Sequence, residues 1–258
     1  MTVPEVLVHR DQDAVSAAIA ARLVTTIVEV QAARGYAHVS LTGGTLGSTC
    51  LAALNASPAR DSVDWSQVHV WWGDDRFVPP GDPDRNEQQA RDALLDHVAL
   101  DPAKVHAMPA AVPGLDADAA AAAYAEELAR HARPEDHAAL PSFDVCLLGI
   151  GPDAHVASLF PQSPGVRETE RTVVGVHGSP KPPPTRISLT LPALCASQEI
   201  WVIAAGAGKA PAVRLALSDA GPVQVPAAGA RGRERTVFLL DEAAASALPP
   251  DLRRLASP

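Results

Sequence analysis

Apolar residues return at every fourth position near the start of the chain. Val15, Ile19, Leu23 and Ile27 line one face of a helix expected over residues 13–33, with Gly35 ending it. The pattern then shortens. Residues 37–41 (AHVSL) read as a strand, followed by Thr42-Gly43-Gly44-Thr45 and a helical stretch through Leu54. A second strand at 68–72 runs directly into Gly73-Asp74-Asp75-Arg76, and a proline-rich loop leads on to a polar helix beginning near Asn86. Residues 117–130 form an alanine-rich helix, with Asp116 and Asp118 suited to its first turn. Residues 143–148 (FDVCLL) are apolar almost throughout, as a strand covered on both faces should be. Further strands are expected at 171–176, 186–189, 199–205 and 236–240, with helices between them, notably after Gly208.

This alternation, without an internal repeat, predicts an α/β protein: a single domain over 1–258 whose mostly parallel central sheet is flanked by helices. Such sheets bind ligands beyond the carboxyl ends of their strands. Polar, glycine-rich segments stand at three of those ends: 42–45, 73–76 and 149–155.

Composition narrows the function more than the fold. At 258 residues the chain can bury a substantial core, and with aromatics at only 4% that core should consist mainly of small and branched aliphatic side chains. The net charge of −9 with no basic run argues against nucleic acid or an anionic membrane as partner. A phosphate-bearing ligand would therefore need positive charge gathered locally. Cys50, Cys146 and Cys195 are far apart and form no CxxC pair, so they are expected as buried free thiols in a reducing compartment. The first dozen residues lack an apolar signal core, and no stretch approaches the ~18 apolar residues that span a bilayer, so a cytoplasmic protein is expected.

The segment 41–49 (LTGGTLGST) lies between a strand and a helix. Gly43 and Gly44 let backbone N–H groups approach an anion, and the helix N-terminus adds a favourable dipole; the same residues also read as an ordinary tight turn with a helix cap. The two carboxylates Asp74 and Asp75 and the guanidinium of Arg76 can order a site, Arg76 being the best phosphate ligand there because guanidinium binds such oxygens bidentately, or they can form local ion pairs in a surface turn. Asp153 and His155 follow a buried strand. Among nine histidines, His155 stands where a base titrating near neutrality is wanted, whereas His9, His97, His131 and His137 are expected at the surface. Lys181 and Arg186 flank a proline loop, and Lys209 opens a helix; with Arg76 they can supply the local cationic cluster. There is no G-x-S-x-G elbow, no HExxH helix and no cysteine beside a histidine, which tilts the reading toward direct attack by water without metal or covalent intermediate.

The strings LTGGT (41–45), WGDDRFVP (72–79), LLGIGPDAHVASLFP (147–161), SPKPPPTRISLTLP (179–192) and GAGKA (206–210) together resemble those of the 6-phosphogluconolactonase family, in the same order and covering most of the chain from 40 to 210. Asp241-Glu242-Ala243-Ala244 resembles the family's C-terminal signature. The resemblance implies the Rossmann-like fold shared with glucosamine-6-phosphate deaminases. It also implies hydrolysis of 6-phospho-D-glucono-1,5-lactone in the oxidative pentose phosphate pathway, with no cofactor, by a monomer or weak homo-oligomer. His155 would then activate water with Asp153 beside it. Gly43, Gly44, Thr45, Asp75, Arg76, Lys181, Arg186 and Lys209 would hold the phosphate or the developing oxyanion.

Two positions depart from the family pattern. Ala154 stands where the family has glycine, and a modest backbone adjustment is expected to absorb it; Asp75 stands where glutamate is usual. Two other functions compete with the lactonase reading. A sugar-phosphate isomerase-deaminase would carry a phenylalanine-asparagine-glutamate-proline run, where this chain has Ser158-Leu159-Phe160-Pro161 and no glutamate. A non-catalytic sugar-phosphate sensor would be expected to carry a DNA-binding domain and to lose Asp153 or His155, and both residues are present.

Overall fold

Short strands buried on both faces form the centre of the protein, seen here in a computed structural model that describes residues 3–136 and 138–256. The strands are β1 (Glu5–His9), β2 (Ala37–Leu41), β3 (Val68–Trp72), β4 (Asp74–Arg76), β5 (Val145–Gly149), β6 (Val173–Val176), β7 (Arg186–Leu189), β8 (Glu199–Ala204), β9 (Arg235–Asp241) and β10 (Arg254–Leu255). The helices are α1 (Gln12–Arg34), α2 (Gly44–Ala56), α3 (Asn86–Ala93), α4 (Ala117–His131), α5 (Leu191–Cys195), α6 (Ala210–Ala216) and α7 (Pro226–Gly229).

Seven strands make one sheet in the order β10-β1-β9-β8-β5-β2-β3, and every pairing in it is parallel. From β2 the chain continues to β3 on one side, whereas from β5 it returns to β8 on the other. The connections thus part between β2 and β5, which opens a crevice at their carboxyl ends. The Gly149 amide donates to Thr42 Oγ1 (3.3 Å) across that gap.

The long first helix follows its sequence pattern. Asp11 caps it by accepting from the Ala14 amide (2.8 Å), Gly35 ends it at φ 89°, and Val15, Ile19, Leu23 and Ile27 are buried beneath it. The core is mostly valine, leucine, isoleucine and alanine, and most of the few aromatics sit within it, with Trp71, Trp72, Tyr124, Phe143 and Phe238 fully buried. All three cysteines are free; Cys50 and Cys146 are buried and Cys195 is partly so.

Several expectations are corrected. Strand β1 was not anticipated, since five residues in which Val6 and Val8 are the only buried apolar side chains give too brief an alternation. It ends on His9, which is buried rather than at the surface, and His131 is half-buried at the end of α4; His97 is exposed, and His137 lies outside the described residues. The strands expected at 171–176 and 186–189 do not join the central sheet. With β4 they build a separate antiparallel sheet in the order β4-β7-β6. Residues 74–76 are accordingly a strand rather than a turn.

That change of role determines where Asp75 points. Its carboxylate is buried away from the crevice, 3.2 Å from Arg85 Nη2, and accepts from the Asn86 amide (2.6 Å) and the Arg76 amide (2.8 Å). Arg85, also buried, donates to Glu87 Oε2 (2.9 Å) and to the Met108 carbonyl (2.7 Å). Asp75 therefore anchors the start of α3 to the second sheet.

Burial pushes the Asp75 carboxyl up to about 6, with Arg85 pulling it down. A carboxyl raised above its unfolded value of 3.8 costs stability above its folded pKa, and the cost fades as pH falls toward 3.8. Arg85→Met leaves Asp75 buried without its cation and should cost about 3–5 kcal/mol near pH 8. The loss should shrink at pH 5, where Asp75 is protonated. Thermal denaturation at the two pH values tests this; equal losses would contradict the anchoring role.

Candidate active site

The crevice is a cleft of about 440 Å³. One wall is the turn from β2 into α2. Its two glycines are needed for different reasons. Gly44 adopts φ 81°, and a Cβ on Gly43 would fall 1.8 Å from Asn86 Oδ1. Gly43, Gly44 and Thr45 all line the cleft, where the first turn of α2 brings the positive end of the helix dipole and the Gly44 amide donates to Gln89 Oε1 (3.2 Å).

The opposite wall is the tight turn after β5. Gly151 N–H donates to the His155 carbonyl and the Ala154 N–H to the Gly151 carbonyl, both at 2.9 Å. A Cβ at Gly151 would lie 2.0 Å from His155 Nδ1 and 2.5 Å from Asp153 Oδ1, so both functional side chains lie over that glycine. Ala154 keeps φ 64°, correcting the expected backbone adjustment. The left-handed conformation costs an alanine about 1 kcal/mol. Its full burial and the bond from the Ala227 amide to its carbonyl (3.0 Å) hold it there.

His155 Nδ1 lies 2.5 Å from Asp153 Oδ1, and the ring packs on Phe160 at 4.6 Å between centroids. Burial holds the imidazole below its usual value of 6.5, with Asp153 opposing. On Asp153 burial acts upward, but the neighbouring His155 and Lys181 outweigh it and hold the carboxyl below its usual value. The pair at neutral pH is therefore a neutral imidazole beside a carboxylate. Because a carboxylate only accepts, Nδ1 carries the proton and Nε2 keeps a lone pair.

The cations expected from the sequence do meet here. Arg76, Lys181, Arg186 and Lys209 all line the cleft, although the chain is acidic overall. Lys181 Nζ is 3.6 Å from Asp153 Oδ1. Lys209 Nζ donates to the Ile150 carbonyl (2.7 Å), and burial, with Lys181 adding to it, lowers its pKa. Arg186 donates to the carbonyls of Lys181, Pro182 and Pro183, which fixes the proline loop, and approaches Ser158 Oγ at 3.4 Å. Arg76 Nη1 donates to the Asp84 carbonyl (2.7 Å), while its buried Nε has no partner among the described residues. Asp241 accepts from the Gly206 amide (3.0 and 2.9 Å) and the Ala244 amide (2.7 Å), which holds the turn that presents Lys209.

Two expected site residues do not line the cleft: Asp153, which stands behind His155, and Asp75, which faces away from it. Asp74 does, with its Oδ2 accepting from Ser158 Oγ at 2.6 Å, and Asn86 joins it by donating to the Asp74 carbonyl (2.8 Å). Alternation along a strand would have found this, because reading 74–76 as extended places Asp74 and Arg76 on one face and Asp75 on the other. Asn86 and Ser158 had no such signal. Both enter through tertiary packing. Among the described residues, the one cluster of three side chains with metal-type donors, His69, His106 and His131, lies elsewhere.

The sequence matches the family described as glucosamine-6-phosphate isomerases/6-phosphogluconolactonase over residues 10–238. A 6-phosphogluconolactonase of Streptomyces coelicolor is 64% identical over 251 residues, 96% of each chain. One of Mycobacterium tuberculosis is 52% identical over 241 residues, 93% of this chain and 96% of the relative. The solved 6-phosphogluconolactonase of Trypanosoma brucei superposes with a TM-score of 0.80 at 28% identity, covering 95% of this chain and 99% of its own. With matches of this extent joined to the fold and cleft described above, the chain belongs to the glucosamine-6-phosphate isomerase/6-phosphogluconolactonase family.

Proposed function

We propose that this protein hydrolyses 6-phospho-D-glucono-1,5-lactone to 6-phosphogluconate, the lactone-opening step of the oxidative pentose phosphate pathway, with His155 as general base. Relatives named for this activity at up to 64% identity favour the reaction. The observation that carries the mechanism is the Asp153–His155 pair at 2.5 Å in a cleft lined by cations.

The phosphate docks among the amides of the Gly43-Gly44-Thr45 turn and the neighbouring cations, fixing the ring. His155 Nε2 takes a proton from water as its oxygen attacks the lactone carbonyl, and Asp153 stabilises the imidazolium that results. Cationic donors facing the carbonyl stabilise the oxyanion, the ring oxygen leaves with a proton, and the acid forms. The lactone is already an activated ester, so positioning and a base suffice without a cofactor. Asp75 acts at one remove, through α3 and Asn86.

We read the whole chain as one catalytic domain working as a monomer or weak homo-oligomer in the cytoplasm, without nucleic-acid or membrane partners. No helix among the described residues is long and apolar enough to cross a membrane.

His155→Ala should lower kcat by about 10²–10⁴-fold and leave KM within a few-fold. The assay generates the lactone in place with glucose-6-phosphate dehydrogenase and subtracts spontaneous hydrolysis; undiminished turnover would remove His155 from its role. The acid limb of kcat/KM should fall below pH 6.5, because a base works deprotonated and burial lowers this one. Asp153→Asn removes the charge that raises the His155 pKa, so the limb should move lower still while the plateau drops. A limb above 6.5 in the unmodified protein would contradict the burial argument. Gly43→Ala drives a methyl into Asn86 and should raise KM more than it lowers kcat. An unchanged KM would place the phosphate elsewhere.

A further inference from the structure

At the amino edge of the central sheet, opposite the cleft, three imidazoles converge. His69 lies near the start of β3, His106 follows the 3₁₀ turn Pro102–Lys104, and His131 is the last residue of α4. One ring nitrogen from each lies within 4.8 Å of the others, and His69 Nδ1 is 3.0 Å from His106 Nε2. Packing fixes the rings. His106 stacks on the buried Trp71 at 3.8 Å between centroids and 9° between planes, and His69 stacks on His38 at 4.5 Å. Trp71 Nε1 in turn donates to His38 Nδ1 (3.0 Å).

Glu127, one turn before His131, completes the group. Its Oε1 is 2.8 Å from His106 Nδ1 and 3.3 Å from His131 Nε2, and its other oxygen takes Arg130. A carboxylate on the far nitrogen of an imidazole fixes the tautomer so that the near nitrogen can bind a metal. Two imidazole nitrogens each ~2.0–2.1 Å from one ion stand roughly 3.0–3.4 Å apart, depending on the angle, so the His69–His106 spacing needs little change. The side chain of His106 is 3% exposed and that of His131 31%, which gives an enclosed site with one open side.

We propose that His69, His106 and His131 bind one divalent transition ion of the imidazole-preferring kind, such as zinc, with Glu127 orienting His106. The ion would pin the end of α4 and the loop carrying His106 onto β3. It would be structural rather than catalytic, since His155 works at the other edge of the sheet. The sequence, read as requiring no metal, gave no sign of this site because the three histidines come from separate elements without a short spacing motif.

Chelator-treated protein is titrated with Zn²⁺ against a chromogenic competitor, and with Co²⁺ for its visible absorption. One ion per chain is expected, bound equally by His155→Ala and at least tenfold more weakly by His131→Ala. Glu127→Gln should lose about tenfold in affinity, as orienting partners of metal ligands do. At ~100-fold excess over Kd the midpoint of thermal unfolding should rise by about 5 °C, an increase that His131→Ala abolishes. Lactonase turnover should be the same with and without the ion. Absence of stoichiometric binding, binding that survives both His131→Ala and Glu127→Gln, or binding that disappears in His155→Ala would overturn the proposal.

Discussion

Parallel strands buried on both faces must all end on the same edge of their sheet, and the connection pattern decides where on that edge a ligand can enter. In this protein the chain leaves β2 in one direction and β5 in the other, so the two following turns cannot close over each other. Each contributes what its own backbone permits. After β2, glycines leave room for Asn86 and permit the left-handed backbone that opens α2; after β5, a left-handed turn lays Asp153 and His155 over Gly151. The proposed chemistry depends on this divergence before it depends on any single side chain.

The central sheet was largely legible because its strands are continuous apolar runs separated by helices with a 3.6-residue period. The residues 145–149 and 199–204 could scarcely be anything else. What escaped was short or decided by distant partners. β1 is recognisable chiefly by its pairing with β9, from Glu5 against Val237 to His9 against Asp241. The second sheet escaped because three residues, Asp74-Asp75-Arg76, read equally as turn or strand until β7 comes alongside. The same ambiguity explains the misplacement of Asp75. The choice between Asp74 and Asp75 is a choice of strand face, and face is undefined in a turn.

Charge at the cleft is arranged by the same logic. An acidic protein presents Arg76, Lys181, Arg186 and Lys209 together only because each is held back from pairing fully with a carboxylate. Arg186 spends its donors on the carbonyls of the proline loop, and Lys209 bonds the Ile150 carbonyl, neutral partners that leave the positive charge unspent. The nearby carboxylates have other work: Asp74 accepts from Ser158, and Asp153 lies against His155. A phosphate entering the cleft therefore meets net positive charge with partial desolvation already imposed.

The two histidine environments show how burial is directed by its neighbours. At His155 the Asp153 carboxylate, helped by Asp74, opposes desolvation, so the ring is neutral yet can accept a proton and be stabilised once it has. Among His38, His69 and His106 there is mutual repulsion as well, and at His38 the value falls to about 2. Rings in that second setting have lone pairs that protons do not readily occupy. Imidazoles of this kind suit a cation that brings its own charge and several bonds at once, and the stacking of Trp71 and His38 keeps them from turning away. The difference between a base and a ligand set thus lies less in the residue type than in its company: one imidazole beside a carboxylate at the cleft, or three converging on one point with Glu127 behind His106.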